Sequence, residues 1–255
     1  MFERADPPRD AAARIRHDLV LGSGYVDVLE VLRLLDVEVY QASFGADSLD
    51  GAHTQRAGAS FVFVNTANAI TRQRLTAAHE LGHHVLDASQ DGDVVYESDV
   101  SNPGNDPAEQ AAFRFARYFL MDPDGVARLT GRMKDEVERV AAVAAHFVVS
   151  PEVAAIHLVE LKAIKLTTKR DLADALASKA TTPSALLRRY GYRMAWTPQD
   201  RPPELDPRHM RRGLEAYEAE WITLPALADS LQMSLEETRR LLAEHGIPSH
   251  EPESA

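Results

Sequence analysis

One short motif constrains this chain more than any other feature: the HExxH sequence that runs from His79 to His83. It lies within residues 71–86, whose apolar positions recur every three or four residues, as in a helix packed on a core. Residues four apart share one helix face, so the two imidazoles can bind a single ion at about 2.0–2.1 Å. Glu80 is rotated away from ligation but stays close to a metal-bound water. The sequence therefore predicts a zinc site with His79 and His83 as ligands and Glu80 as the catalytic base.

Chance is the alternative explanation of the motif, because short motifs give false positives. A predicted strand precedes the motif, however, and its helix is otherwise amphipathic. A solvated helix would need neither Gly82 nor two clustered histidines. The context therefore favours a functional site.

A catalytic zinc usually takes three protein ligands, so one must come from outside the motif. Glu109 is the predicted third ligand, because it opens a predicted helix, 108–121, in line with an apolar face that carries Ala112. A carboxylate on such a face is costly unless it is paired or bound to metal. The small Ala112 would let two helices approach closely.

The alternative is that Glu109 is an ordinary acid of a first helical turn, favoured there by the helix dipole. The competing ligands are Glu97, Asp99 and Asp106.

The chain of 255 residues has no cysteine, which excludes disulfides, thiolate ligands and cysteine nucleophiles. A metal must therefore be held by His, Asp or Glu. Its 39 Asp and Glu against 28 Lys and Arg give a net charge of −11, which disfavours direct nucleic-acid binding and favours a basic protein partner. The first residues are charged and lack the apolar core of a signal peptide, and no run approaches about 20 apolar residues. We expect no membrane association and a cytoplasmic location.

Periodicity and turn residues predict a mostly helical α+β fold. The predicted helices cover residues 10–21, 24–35, 71–86, 108–121, 133–147, 150–165 and parts of 208–246. Two strands are predicted, over 37–40 and 60–64, with a loop or hairpin over 45–58 between them. The polar segment 87–107 is predicted to be a long connection, which is unusual unless it serves a function such as a flap over a substrate cleft.

A rise in turn residues predicts a domain boundary near residue 170. Residues 1–170 are expected to form a zincin-like peptidase domain with a small β-sheet, and residues 171–255 a helical C-terminal domain. Each contains a segment that resembles a helix-turn-helix, 133–165 in the first and 208–246 in the second.

The charges of these two segments disfavour DNA contact. The balance of Lys and Arg over Asp and Glu is only +2 in residues 132–170, and it is −6 in residues 204–255. The second segment is expected to bind a protein partner or to pack on the peptidase domain.

A series of motifs over most of residues 10–166 resembles the ImmA/IrrE metallopeptidases of bacteria and their phages. The first matching features are a D-G turn at Asp50-Gly51, a strand that ends in asparagine at Phe61–Asn65, and an arginine, Arg74, five residues before HExxH. A helix that begins with glutamate follows at Glu109–Ala116, and an F-x-V-S turn at Phe147–Ser150.

Two positions depart from the family pattern. Phe113 replaces a small polar residue, and Asp122-Pro123 shifts the usual proline by one. Neither is a ligand, so they bear on substrate preference and leave metal binding intact.

The resemblance implies a zinc cofactor held by His79, His83 and Glu109, with Glu80 as the base. It also implies a regulatory protease that cleaves, or otherwise inactivates, a helix-turn-helix repressor and so switches on phage, mobile-element or stress-response genes. We therefore expect a zinc-dependent endopeptidase whose partner is a basic helix-turn-helix repressor or an antitoxin-like protein.

Two other classes of function are alternatives. An anti-repressor would bind its partner stoichiometrically, with zinc only structural, and a transcription factor would bind DNA through its helix-turn-helix-like segments. The presence of Glu80, which ligates nothing in the predicted site, favours the enzyme over the anti-repressor. The acidic charge disfavours the transcription factor.

The donor that stabilises the oxyanion stays open among His84, Tyr96, Tyr118 and His146. His84 directly follows the motif but points about 100° away from His83 around the helix, which favours a supporting or surface position. A lone histidine on an apolar helix, such as His146 or His157, is typical of a satisfied core residue.

Overall fold

The computed structural model describes residues 6–43, 50–56, 59–86, 94–97, 104–193 and 207–248, which form twelve helices and four strands. The helices are α1 Pro7–Asp18, α2 Val28–Leu34, α3 Ile70–Leu86, α4 Pro107–Leu120, α5 Pro123–Thr130, α6 Glu136–Phe147, α7 Pro151–Glu160, α8 Leu166–Ala177, α9 Pro183–Arg189, α10 Pro207–Glu218, α11 Leu224–Leu231 and α12 Leu235–Glu244. The strands are β1 Val37–Ala42, β2 Gly51–Arg56, β3 Ala59–Asn65 and β4 Val94–Glu97.

The strands form one mixed sheet in the order β1-β3-β2-β4. β1 runs parallel to β3, whereas β2 is antiparallel to both β3 and β4. Alternate residues of β3, among them Val62 and Val64, are buried in the core that also includes Leu75 and Leu81 of α3. The sheet therefore supports the helix that carries the HExxH motif.

Two strands lie in segments predicted to be connections. Within the loop or hairpin predicted over 45–58, β2 forms a hairpin with β3, so the hairpin alternative is confirmed over the described residues. The connection predicted over 87–107 is wrong at Val94–Glu97, which forms the edge strand β4. β2 carries Gly51, Ala52 and His53 at three successive buried positions instead of an apolar alternation, so the period-two signal is missing.

The first two helices differ from their predicted bounds for local reasons. α1 begins at Pro7, because proline is favoured in a first helical turn, where its missing N–H costs nothing. α2 begins at Val28 rather than at residue 24, because the Asp27 side chain accepts hydrogen bonds from the first-turn N–H groups.

The boundary predicted near residue 170 falls inside α8. Leu172 of α8 and Leu187 of α9 belong to the same hydrophobic core as α3 and α4. A second, smaller core joins α10, α11 and α12 around Leu227. The division into two domains stays a prediction, and the two cores favour a boundary after Arg193.

The mostly helical α+β fold with a small sheet is confirmed. Among the described residues, no single helix has both the length and the apolar character of a membrane span. Only α6 and α7 taken together meet that test, and they are bent by 114°.

Candidate metal centre

Helix α3 carries the whole HExxH motif near its C-terminal end. It packs against the sheet, α2 and α4, so most of its length is enclosed. His79 and Glu80 are 0% exposed and His83 is 5% exposed. Ionisable side chains buried this deeply in one cluster are typical of functional sites.

Helix α4 supplies the third side chain. Its start is fixed by Pro107 in the first turn and by Asp106, whose side chain accepts a hydrogen bond from the Ala108 N–H at 2.8 Å. Glu109 follows in the same turn and reaches the two histidines of α3.

The two helices come close together because position 82 has no side chain. A Cβ on Gly82 would lie 3.0 Å from both the Cα and the carbonyl oxygen of Ala112, and 3.2 Å from Phe115. The structure agrees with the expectation that the small Ala112 permits close approach. This contact sets the distance at which Glu109 meets the histidines.

Three donor atoms converge at this helix pair. His79 Nε2 lies 2.9 Å from Glu109 Oε2 and 3.0 Å from His83 Nε2. His83 Nε2 lies 3.4 Å from the same Glu109 Oε2 atom. Ligands of a tetrahedral zinc at about 2.0–2.1 Å stand about 3.3 Å apart, so the three atoms have the spacing of a coordination site. The group could hold a metal ion, and it is the one such group of three within the part of the chain that the structure describes.

The protonation chemistry of the cluster also fits a cation. Burial lowers the pKa of His79, and the hydrogen bond to Glu109 opposes that shift. A neutral imidazole is the form that binds metal. Two neutral ring nitrogens 3.0 Å apart can share one proton at most, whereas a metal ion satisfies both nitrogens and the carboxylate together.

The Glu80 carboxylate lies close to the sheet at the start of β2. A Cβ on Gly51 would lie 3.4 Å from Glu80 Oε1, 2.7 Å from the Phe63 carbonyl oxygen and 2.3 Å from Thr76 Cγ2. Only glycine therefore lets β2 pass this close to α3. Glu80 is fully buried, follows His79 directly and is not one of the three grouped residues, which agrees with the role of general base predicted for it.

Asp50 is a buried carboxylate at the start of β2 that the sequence marks only as part of a D-G turn. Its Oδ1 accepts a hydrogen bond from Asn68 Nδ2 at 2.8 Å and lies 2.6 Å from Arg72 Nε. These contacts join the start of β2 to the start of α3. Because Asn68 and Arg72 are far from Asp50 in the sequence, no local pattern reveals the cluster.

Of the three competing ligands, only Asp106 has a side chain that the structure describes. Asp106 caps α4 and is not part of the cluster. Glu97 lies in β4, but its side chain is outside the described part, and Asp99 lies outside the described residues.

The oxyanion candidates occupy different places. Tyr118 is buried with its ring 4.9 Å from that of His157, and Tyr96 lies in β4 with its side chain outside the described part. His84 lies one turn beyond Glu80, its ring 6.1 Å from that of His53, and burial lowers the pKa of His84. His53 is buried on β2 across from this helix, and the sequence does not single it out, because it lies in the segment predicted only as a loop or hairpin.

The two lone histidines differ. His157 is 0% exposed and its Nε2 donates to the Met121 carbonyl at 2.8 Å, so it is a core residue as predicted, with one ring nitrogen hydrogen-bonded. The same prediction is wrong for His146, which is exposed at the end of α6 beside Phe147.

Residues 33–159 match the family model of the IrrE N-terminal-like domain, which is a peptidase family. The match spans the whole sheet and helices α3 and α4, and therefore includes His79, Glu80, His83 and Glu109. No curated protein sequence matches the chain.

Proposed function

We propose, from the premise that this chain belongs to the ImmA/IrrE family of IrrE N-terminal-like peptidases, that it is a zinc-dependent endopeptidase. The observation that carries the proposal is the convergence of His79, His83 and Glu109, with Glu80 buried beside them. Two neutral imidazoles and one carboxylate are a donor set that suits a catalytic zinc, which keeps a fourth position open for water or substrate.

The chemistry assigns each side chain a separate task. His79, His83 and Glu109 would hold the ion, which when bound polarises a carbonyl and lowers the pKa of a water molecule. Glu80 accepts a proton as that water attacks the scissile carbon. It then returns the proton to the nitrogen as the C–N bond breaks, so a carboxylic acid and an amine leave.

The proposed substrate is a basic helix-turn-helix repressor or an antitoxin-like protein. Its support is the resemblance to ImmA/IrrE proteins together with the net charge of −11 on this chain. Opposite net charges accelerate encounter between two proteins and make it sensitive to salt. Cleavage would relieve repression.

The decisive experiment compares wild type with Glu80→Gln, because glutamine has nearly the shape of glutamate but cannot act as a base. Both proteins are loaded with zinc, dialysed and incubated with the helix-turn-helix repressor encoded beside the gene. We expect both to retain about one zinc per chain. Only the wild type should cleave efficiently, with the variant slower by about 10²–10⁴-fold. Glu109→Gln is the matched ligand variant and should lose zinc as well as activity.

The outcomes separate the alternatives. Equal cleavage by wild type and Glu80→Gln would overturn the role of Glu80. Absence of cleavage, with a stable complex that both proteins form equally, would favour a stoichiometric anti-repressor. Zinc retained equally by Glu109→Gln would overturn the ligand set.

A further inference from the structure

The charge of the chain reverses locally between residues 161 and 193. This segment has eight lysines and arginines against two aspartates, a balance of +6 in a chain whose net charge is −11. The basic residues are Lys162, Lys165, Lys169, Arg170, Lys179, Arg188, Arg189 and Arg193. The boundary predicted near residue 170 divides this segment between two domains and hides its charge.

Contacts at the start of α6 bring the two ends of the segment together. Tyr190, which follows α9, donates its hydroxyl to Asp135 Oδ2 at 2.7 Å. Glu136 Oε2 accepts a hydrogen bond from the Lys165 N–H, just before α8, at 3.0 Å. The Tyr190 hydrogen bond is the largest cause of a lowered Asp135 pKa, and the charge of the nearby Arg189 lowers it further. The α7–α8 turn and the end of α9 therefore lie side by side.

The basic side chains point into solvent. Lys169 is half-buried and the other seven basic residues are exposed. Within the described ranges, none of the eight forms a salt bridge with a carboxylate within 4 Å. Asp171 and Asp174 are the acids of the segment, and Asp135, Glu136 and Glu138 adjoin it at the start of α6. The basic residues Arg132, Lys134 and Arg139 offset these three neighbouring acids.

The composition of the segment suits phosphate contact and lacks the side chains that read adenine. It contains no Asn, Gln or His, and its polar side chains other than Lys and Arg are Asp, Ser, Thr and Tyr. Lys and Arg on turns and at helix ends reach phosphates readily, and of the common base contacts only those of Lys and Arg to guanine are open to this segment. α7, the second helix of the helix-turn-helix-like pair, is largely buried and cannot enter a groove.

We propose that residues 161–193, the basic α8–α9 surface, bind the phosphate backbone of double-stranded DNA without sequence preference. Screening in physiological salt limits electrostatic effects to about 8 Å, so this surface governs binding locally despite the acidic remainder of the chain. The proposal goes beyond the proposed peptidase function and uses none of its residues. The expectation of no direct nucleic-acid binding rests on the charges of the whole chain and of residues 132–170 and 204–255, none of which isolates this basic segment.

The test measures the anisotropy of a fluorescent duplex of about 25 base pairs, of random sequence, titrated with the full chain at several salt concentrations. About five phosphate contacts would give a slope of about −4.5 in log affinity against log salt. Arg188→Glu/Arg189→Glu should weaken binding at least tenfold. Arg239→Glu/Arg240→Glu on α12 changes the net charge equally and should weaken it less than twofold.

A second variant, Lys162→Glu/Lys179→Glu, alters residues outside the helices, so a folding defect in α9 cannot imitate the result. No salt-dependent binding by the wild type would overturn the proposal, as would equal loss in the surface and control variants. Tighter capture of an acidic peptide than of the duplex, or salt-dependent self-association with no DNA binding, would assign the surface to a protein partner instead. Zinc content and repressor cleavage are measured on the same variants and should not change, which keeps this test separate from that of the peptidase.

Discussion

At the scale of single residues, alanine substitutions at two helical glycines are expected to change the unfolding free energy in opposite directions. Gly82→Ala places a Cβ against the backbone of α4, which cannot move without displacing Glu109, so we expect a loss of about 1–3 kcal/mol in unfolding free energy. Zinc affinity should fall as well. Urea denaturation and a competitive zinc titration measure the two effects.

Gly213→Ala in α10 is the matched control. Its Cβ would meet the Leu227 Cδ1 atom at 3.0 Å, the movable end of a side chain. The helix propensity of alanine should therefore offset the contact, with a gain of up to about 1 kcal/mol and unchanged zinc affinity. Equal losses in both variants would show that backbone contact at Gly82 is not what sets the spacing of α3 and α4.

The buried, neutral His157 predicts that the stability of the fold depends on pH. Burial, helped by the charge of Arg117, lowers the pKa of His157 to about 3, whereas an unfolded histidine titrates near 6.5. Between these values only the unfolded state binds the proton, so the stability contributed by the neutral imidazole is complete above pH 6.5 and declines as the pH falls towards 3. The expected slope is at most about 1.4 kcal/mol per pH unit.

The measurement compares wild type with His157→Gln, which can still donate to the Met121 carbonyl but does not titrate. Urea unfolding at several pH values should show wild type losing stability faster below pH 6.5. Parallel pH profiles for the two proteins would contradict the assignment of a neutral, buried His157.

At the scale of elements, the Asp50 cluster fastens the start of β2 to the start of α3. Asp50→Asn removes the charge that Arg72 faces, and Arg72 is 41% exposed, so the loss should be about 1–3 kcal/mol rather than that of a fully buried pair. Zinc affinity should fall too, because α3 would lose an anchor near the HExxH motif.

The control for Asp50→Asn is Glu236→Gln, which breaks an exposed ion pair to Arg240 within α12. Denaturation should detect no change in this variant, because exposed pairs contribute little. An Asp50→Asn variant with unchanged unfolding free energy and zinc affinity would mean that the buried cluster does not anchor α3.

The elements also explain what sequence reasoning could reach. The HExxH helix and the glutamate-led helix are predictable because each has a long 3.6-residue period, whereas the choice of Glu109 needs the resemblance to ImmA/IrrE proteins as well as that pattern. The sequence predicts β2 only as part of a loop or hairpin, because its buried positions are filled by glycine, alanine and histidine. The Asp50 cluster and the approach of Gly51 to Glu80 depend on tertiary packing, which has no local signature.

At the scale of the whole molecule, α10 covers the β1 edge of the sheet. Arg208 Nη2 donates to the Val37 carbonyl at 2.8 Å, and Arg212 contacts Glu38, which is only 2% exposed. Gln232 Nε2, at the end of α11, donates to the Gln41 carbonyl at 2.7 Å. Unpaired strand edges promote association between molecules, so this cover protects β1.

Arg212→Ala should therefore leave the Glu38 carboxylate buried without its cation and lower the unfolding free energy by about 1–3 kcal/mol. Arg211→Ala, on the neighbouring position of the same helix, removes only an exposed contact to Glu215 and should have no measurable effect. Urea denaturation and light scattering compare the two, and equal stability would mean that Arg212 does not secure the edge.

The cover on β1 also has a consequence for synthesis. The groups that satisfy the Val37 and Gln41 carbonyls lie 171 and 191 residues later in the chain. At about 5–20 residues per second, a ribosome needs about 10–40 s to make that length. During this time the nascent sheet has an open edge, and a chaperone or another nascent chain can compete for it before α10 and α11 arrive.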